Sequence, residues 1–383
     1  MTPTSIGGLR RRAKAVLPRL VFDYVDGGAE DEVAMAGNAA AFDALRLVPR
    51  AGRDVAVRDT STTLFGRRWA MPYGVSPTGL ADLVRPGADL GIARAAAAAD
   101  VPFILATVAT TTIEDAARAA PGHLWFQLYM PADRAIGHDL VRRAKDAGAG
   151  VLIVTLDVPA PGKRERDLAN GFSLPFRMGP RTLLDFARHP RWAWRMARAP
   201  HPPRFASLAP YAPPGAGSTT LAAFMSRQIT ADLTWEEVAR LRDLWPRPIV
   251  AKGVLAPEDV EEAARLGLDG VVLSNHGGRQ AGLAASPVTM LPEAVEAARG
   301  RLTLLLDGGV RRGAHVAAAV ASGAAMAFAG RPTLYGAAVA GEAGAALALQ
   351  ILRDEFDRAL AMLGARGVTD LVPGMVRGAA PAR

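Results

Sequence analysis

The sequence contains no cysteine, which removes disulfides, thiolate metal sites and cysteine nucleophiles and leaves the redox compartment open. It also lacks a long apolar run. The best candidate, Ala314 to Gly330, is mostly alanine and is broken by His315, Ser322 and Gly323, so nothing reaches the about 18 clean apolar residues of a membrane span. The basic start, MTPTSIGGLRRRAKAVLPRL, has no apolar core of signal-peptide length, which argues against export and for a cytoplasmic location. Histidine is scarce too, with six in 383 residues. Where one stands is therefore informative.

Half the residues are apolar and a fifth are charged, so the chain can bury a large core. Its length fits one α/β barrel with insertions as well as two domains. The net charge of +8 is local. Between Arg177 and Arg204 stand seven arginines and one acid, Asp185, so that segment carries +6 and the rest is nearly balanced. A nucleic-acid protein would spread its basic residues over a docking face and add stacking aromatics, so no nucleic-acid partner is expected.

From about residue 70 onward one pattern repeats: a short apolar run, a turn with polar residues or glycine, then an Ala-rich amphipathic stretch. Eight runs do this: MPYGVSP, PFILAT, LWFQLY, VLIVTLD, PIVAKG, GVVLSN, LTLLLDGG and AMAFAGR. Alternation of this kind is the signature of a parallel sheet, and eight units favour a closed (β/α)₈ TIM barrel with its chemistry at the C-terminal strand ends. Polar residues follow that rule. Thr78 comes after the first run, Gln127 and Tyr129 after the third, Thr155 and Asp157 after the fourth, and Lys252 after the fifth. Ser274, His276 and Arg279 end the sixth, Asp307 the seventh and Arg331 the eighth. A doubly wound sheet would concentrate them at one switch point instead. We therefore expect a single barrel domain over 1–375, with 1–70 as a helical cover for one end and 176–229 as an insertion after the fourth strand.

The segments LTLLLDGGVRRG and AFAGRP place glycines and arginines after the seventh and eighth strands, where barrels bind phosphate. Gly308 and Gly309 let the backbone approach, and Arg311 and Arg331 supply charged donors. Either half alone reads as an ordinary strand-to-helix turn. Together they point to a phosphorylated cofactor. Lys252 ends a strand in an apolar mouth and needs a partner, which a flavin would provide because a cation beside its ring stabilises the reduced anion. Gln127, Thr155 and Ser274 are placed to hydrogen-bond the ring edge. A histidine in a glycine-rich turn such as SNHGGRQ is usually structural when nothing converges on it. Here Asp157 ends at the same face, so carboxylate and imidazole can meet as a general base requires. Arg279, with Arg164 in PGKRERD, can clamp a carboxylate. The substrate then is an acid with an oxidisable carbon beside its carboxylate.

These motifs resemble those of the FMN-dependent α-hydroxy acid oxidases and dehydrogenases. The likeness runs from about Leu17 to Leu371 and is carried by FDYVDGGAEDE, SPTG, WFQLY, LDVP, SNHGGRQ, DGGVRRG and GRPTLYG. The resemblance implies that His276 takes the α-proton or the hydroxyl proton and that Asp157 orients and stabilises it. It implies that Arg164 and Arg279 hold the substrate carboxylate, with Tyr24 and Tyr129 adding hydrogen bonds. Thr78, Gly79, Gln127, Thr155, Lys252 and Ser274 match FMN-contacting positions, as do Asp307, Gly309, Arg311, Gly330 and Arg331. Four positions depart from the family. Ala106 replaces a serine that contacts the flavin; Ala281 and Gly282 replace the Leu-Asp that follows HGGRQ; and Val108 stands where plant relatives have tryptophan, leaving room for a bulkier substrate.

Within the family the insertion is most like that of bacterial (S)-mandelate dehydrogenases, with flavin-type L-lactate dehydrogenases next, on HPRW, RERDLAN, FMSRQ and LRDLWP. Pro190 is placed to open a helix from Arg191 to Ala199 with Arg191, Arg195 and Arg198 on one stripe and Trp192, Ala193 and Met196 toward the other side. A basic amphipathic helix with interfacial tryptophans suits an anionic membrane surface, so peripheral contact with the inner face of the cell membrane through 177–204 is expected, and a quinone acceptor with it. A lid over the site is the competing reading of the helix. The sequence predicts no metal site and a homo-oligomer. Lactate as substrate and oxygen as acceptor are the alternatives; a flavin isomerase or lyase and a polyanion-binding barrel without turnover are the rival classes.

Overall fold

The computed structural model describes residues 2–173, 179–212 and 231–378. Eight parallel strands close into a barrel: β1 (Tyr73–Val75), β2 (Phe103–Ala106), β3 (Leu124–Leu128), β4 (Leu152–Thr155), β5 (Ile249–Val254), β6 (Gly270–Leu273), β7 (Thr303–Asp307) and β8 (Met326–Ala329). They coincide with the eight apolar runs, and the TIM-barrel expectation holds. Side chains alternate across each strand. Ile104, Trp125, Ile153, Val250, Val272, Leu305, Met326 and Phe328 fill the inside. Their neighbours Phe103, Leu105, Phe126, Val154 and Leu306 face the helices. Local chemistry starts several of those helices: Asp133 accepts from the Ala135 amide, Thr112 from the Asp115 amide, and Pro257 and Pro287 occupy first turns.

The N-terminal cover closes both ends of the barrel, not one. Helix Arg19–Asp26 lies at the C-terminal mouth, held there by Asp26, which pairs with Arg10 at 2.6 Å and accepts from the Tyr335 hydroxyl at 2.7 Å. The hairpin Thr62–Leu64 and Arg67–Trp69 plugs the opposite end, where Leu64 and Trp69 join the interior cluster. Periodicity shows that a segment is amphipathic but not which end of a barrel takes its apolar face.

The excursion after β4 contains the helices Pro180–Arg188 and Pro190–Ala197, so the second ends two residues before Ala199. Trp192 is buried, its indole donating to the Leu83 carbonyl at 2.9 Å, and it packs on Phe186. The expected interfacial pair of tryptophans is thus corrected to Trp194 alone, 58% exposed and capped by the Arg198 guanidinium 4.5 Å from its ring. Arg177, FMSRQ and the rest of 213–230 lie outside the described residues. No helix among those described is long and apolar enough to cross a membrane.

Candidate active site

A cavity of about 680 Å³ opens at the C-terminal mouth of the barrel. It lies in the range of about 300–1,000 Å³ typical of ligand sites. Of the expected site residues, Tyr24, Tyr129, Arg164, His276 and Arg279 line it, and so do Thr78, Gly79, Thr155 and Lys252. Asp307, Gly309, Arg311, Gly330 and Arg331 complete that set. Asp157, Gln127 and Ser274 stand one layer behind.

His276 sits in the left-handed region at φ +58°, a conformation that costs a non-glycine residue energy and tends to survive at functional sites. The turn around it is over-determined. Its amide donates to Ser274 Oγ at 3.0 Å, and Gly278, at φ +73°, passes so close to Met35 that a Cβ would come within 2.5 Å of its backbone. Asn275 and Asn38 exchange two hydrogen bonds of 2.8 Å behind the turn. His276 Nδ1 then lies 3.0 Å from Asp157 Oδ1 and Nε2 lies 3.1 Å from the Tyr129 hydroxyl. The carboxylate fixes the tautomer, leaving Nε2 toward the cavity. Burial alone would raise the Asp157 carboxyl, but the charge and hydrogen bond of His276, with Lys252 beyond, hold it below the usual carboxylate range. Asp157 Oδ2 is buried without a hydrogen-bond partner. Burial, and then the Asp157 charge, push the Tyr129 hydroxyl up, keeping it a neutral donor. Space for Asp157 comes from Gly253, at a bulge in β5, where a Cβ would lie 2.4 Å from the carboxyl carbon.

Lys252 has a partner of its own, which the sequence reading had left to a cofactor. Its Nζ lies 3.0 Å from Asp307 Oδ2 and 2.7 Å from Ser274 Oγ, and Ser274 donates to Asp307 Oδ1 at 2.5 Å. A buried ammonium requires such compensation. Gln127 is likewise engaged, donating to Thr155 Oγ1 at 2.9 Å and receiving the Thr107 amide at 3.3 Å. Thr107 and Ser76 were missed by sequence reading. The Thr107 hydroxyl donates to the Gln127 carbonyl and accepts from the Tyr129 amide, and Ser76 donates to Asp307 at 3.3 Å. Both follow apolar runs, the same signal that marked Thr155 and Ser274.

The guanidiniums are arranged differently. Arg279 donates to the carbonyls of Tyr24 and Gly27, both at 2.8 Å, and Arg331 to those of Val25, Gly27 and Gly277. Among the described residues no carboxylate lies at ion-pair distance from Arg279, Arg311 or Arg331. Loss of hydration pushes Arg331 down to about 9 and also lowers Arg279, which feels Arg164 as well. Arg164 lies 3.7 Å from Asp167, its one ion-pair partner among the described residues. Cations held this way, beside the Gly308–Gly309 turn, fit an anionic group that brings its own charge, as a phosphate does. The loop beyond Gln280 keeps its place without the family's Leu-Asp: the Gly282 carbonyl accepts from the Ala34 amide at 2.8 Å, and Glu30 fills the space beside it.

Fold and site together define a (β/α)₈ enzyme whose mouth holds an anionic prosthetic group next to an imidazole–carboxylate pair. The chain belongs to the FMN-dependent dehydrogenase family, whose model it matches over residues 13–378. FMN is accordingly its cofactor. It is 40% identical to (S)-mandelate dehydrogenase of Pseudomonas putida across 95% of this chain and 91% of that one. It is equally 40% identical to an L-lactate dehydrogenase of Caulobacter vibrioides, across 97% of each. A crystal structure of the monotopic membrane protein (S)-mandelate dehydrogenase superposes with a TM-score of 0.94 at 38% identity, covering 99% of this chain and all of that one.

Proposed function

We propose that this enzyme, an FMN-dependent dehydrogenase of 2-hydroxy acids, oxidises an (S)-2-hydroxy acid with an aromatic, mandelate-like side chain to the 2-oxo acid, with His276 as the base. Bound FMN supplies the two-electron acceptor at the reacting carbon. Arg279 and Arg164 clamp the carboxylate, each guanidinium offering charge-assisted hydrogen bonds. Tyr24 and Tyr129 add hydroxyl donors at the substrate. His276 Nε2 accepts a proton, and Asp157 stabilises the imidazolium across the 3.0 Å bond to Nδ1. Lys252, Arg311, Arg331, Gly309 and Gly330 would hold the cofactor, with Thr78, Gly79, Gln127, Thr155, Ser274 and Asp307 forming the rest of its bed. The observation that carries this reading is the pairing of His276 and Asp157 beside Arg279, which has no carboxylate at ion-pair distance among the described residues.

Apolar walls favour a bulky side chain. Val108, Phe172, Phe205 and Leu208 all line the cavity. The lactate reading is supported by relatives of equal identity, and a panel of acids separates the two. The test is anaerobic bleaching of the flavin by (S)- and (R)-hydroxy acids, repeated with His276→Ala. Bleaching at the same rate by the variant would remove His276 as the base. Substrate deuterium and solvent isotope effects then distinguish proton from hydride departure.

The acceptor in this reading is a membrane quinone. Its support is the excursion, where Leu183, Leu184 and Trp194 stand exposed among Arg181, Arg188, Arg191 and Arg198, the pattern of a surface that lies on anionic lipid. Replacing all three apolar residues by serine should release the protein from anionic vesicles in a sedimentation assay, and undiminished binding would sink the membrane contact.

A further inference from the structure

A second cavity, of about 430 Å³, lies beside the first. One wall is the excursion, through Met196, Ala199, Pro200 and Pro203; the facing wall is Leu90 and the turn Thr110–Thr112 after β2. The two cavities share their partitions. Along the turn after β2, Thr107 and Val108 face the first and Thr110 to Thr112 the second; in the excursion, Phe205 and Leu208 face the first and Arg204 and Ala206 the second. The partition is rigid, since the Ala206 amide donates to the Ala109 carbonyl at 3.1 Å and the Leu80 amide to the Val108 carbonyl at 3.1 Å.

Below this wall lies a carboxyl that the oxidation of the hydroxy acid does not use. Asp89 is 2% exposed, and its Oδ2 meets both the Thr110 amide, at 2.6 Å, and the Thr110 hydroxyl, at 2.5 Å. Among the described residues no cation lies at ion-pair distance from it. Burial, and then the neighbouring Asp82, push its pKa up to about 7 against the hydrogen bonds from Thr110 and Thr111. A carboxyl with its pKa raised to about 7, hydrogen-bonded to the hydroxyl of a residue that lines a cavity, is placed to pass a proton along that bond. The other titratable or charged groups here are Asp82 on the preceding turn, Asp115 beyond Thr112, and His201 and Arg204 on the opposite wall.

We propose that this second cavity binds the ring of a quinone and that Asp89, through the Thr110 hydroxyl, delivers protons to it. This rests on the reading that the acceptor is a membrane quinone. The same excursion supplies the exposed Leu183, Leu184 and Trp194 assigned to lipid and the Met196, Ala199, Pro200 and Pro203 wall of this cavity, which places the cavity on the segment that would meet the membrane. The balance closes. The hydroxy acid loses two electrons and two protons in becoming the oxo acid; the quinone gains two electrons and two protons in becoming the quinol. The electrons pass across the shared turn after β2, and the protons pass from Asp89 to Thr110 Oγ1 and on to a quinone oxygen, with Asp89 reprotonated from solvent.

The test uses holoenzyme and the short-chain 2,3-dimethoxy-5-methyl-1,4-benzoquinone, measuring probe binding by equilibrium dialysis and flavin reoxidation after anaerobic bleaching. Ala199→Phe fills the cavity and should weaken probe binding by about tenfold or more, while Ala199→Ser, of nearly the same volume, binds as wild type. Asp89→Asn should retain binding but slow reoxidation by the quinone about tenfold or more and flatten its pH dependence near 7, leaving reoxidation by ferricyanide, which takes no proton, unchanged. Equal binding by Ala199→Phe overturns the site, and an unaltered quinone rate and pH profile in Asp89→Asn overturns the relay. Wild-type flavin that oxygen reoxidises and the quinone does not would overturn the acceptor reading itself, a different outcome from a quinone that works in both wild type and Ala199→Phe.

Discussion

The two ends of the barrel are closed by the same N-terminal segment, yet the arginine at one end is ion-paired and, among the described residues, Arg279 and Arg331 at the other are not. At the hairpin end Arg67 pairs with Asp100 at 3.1 Å, lies 4.1 Å over the Trp69 ring, and shares Asp100 with His123, which is 2.9 Å away. Among the described residues at that end, the Trp69 indole N–H is the one polar side-chain atom buried without a partner. At the mouth Arg279 and Arg331 spend their donors on backbone carbonyls, have no carboxylate at ion-pair distance among the described residues, and face a cavity. Both ends use arginine and aromatic residues. What separates structure from function is whether the charges are already answered.

That contrast can be broken from either side. Asp157→Asn leaves the shape of the mouth but denies the imidazolium its counter-charge, and should slow flavin bleaching by about 10²–10⁴-fold. The same variant has a pH signature. Because the folded carboxyl sits below its unfolded value, its contribution to stability is present above the unfolded pKa and is lost as pH falls through the folded one, so wild type and Asp157→Asn should converge in melting temperature in acid. At the other end, Trp69→Ala should cost about 3–5 kcal/mol in denaturant unfolding by emptying the plug, with bleaching by substrate unchanged in the folded fraction. Arg279→Ala should remove about 1.5–3 kcal/mol of substrate binding, seen as a KM raised about 10–100-fold, with some loss of stability because the Tyr24 and Gly27 carbonyls lose their donor. Smallest is Arg67→Ala, whose side chain is a third exposed, at about 1 kcal/mol or less and no kinetic change. A large kinetic effect from the hairpin variants would erase the distinction between the ends.

The residues that carry the argument were unevenly visible in the chain. The eight strands could be read because each is an apolar run of barrel-strand length followed by polar residues, and burial on both faces imposes that pattern. Convergence of His276 with Asp157 followed from the closed topology, since both end parallel strands on one rim. Ser76 and Thr107 carried the same strand-end signal and went unread. The Asn38–Asn275 exchange carried none, because a buried amide pair depends on two segments 237 residues apart meeting face to face.

Sequence by itself determined the class of fold and the rim on which the candidate site stands, and it supplied the residues proposed here as base, clamp and phosphate donors, because these depend on local periodicity and on residue types whose chemistry does not change with context. Only tertiary structure decided who answers whom. Asp307 neutralises Lys252, Arg331 turns to the carbonyls of the N-terminal cover, Trp192 goes inside while Trp194 stays out, and Asp89 lies buried beneath a second cavity. Those outcomes depend on distances of a few ångströms between segments far apart in sequence, where desolvation and pairing energies are settled by packing and no periodicity records the result.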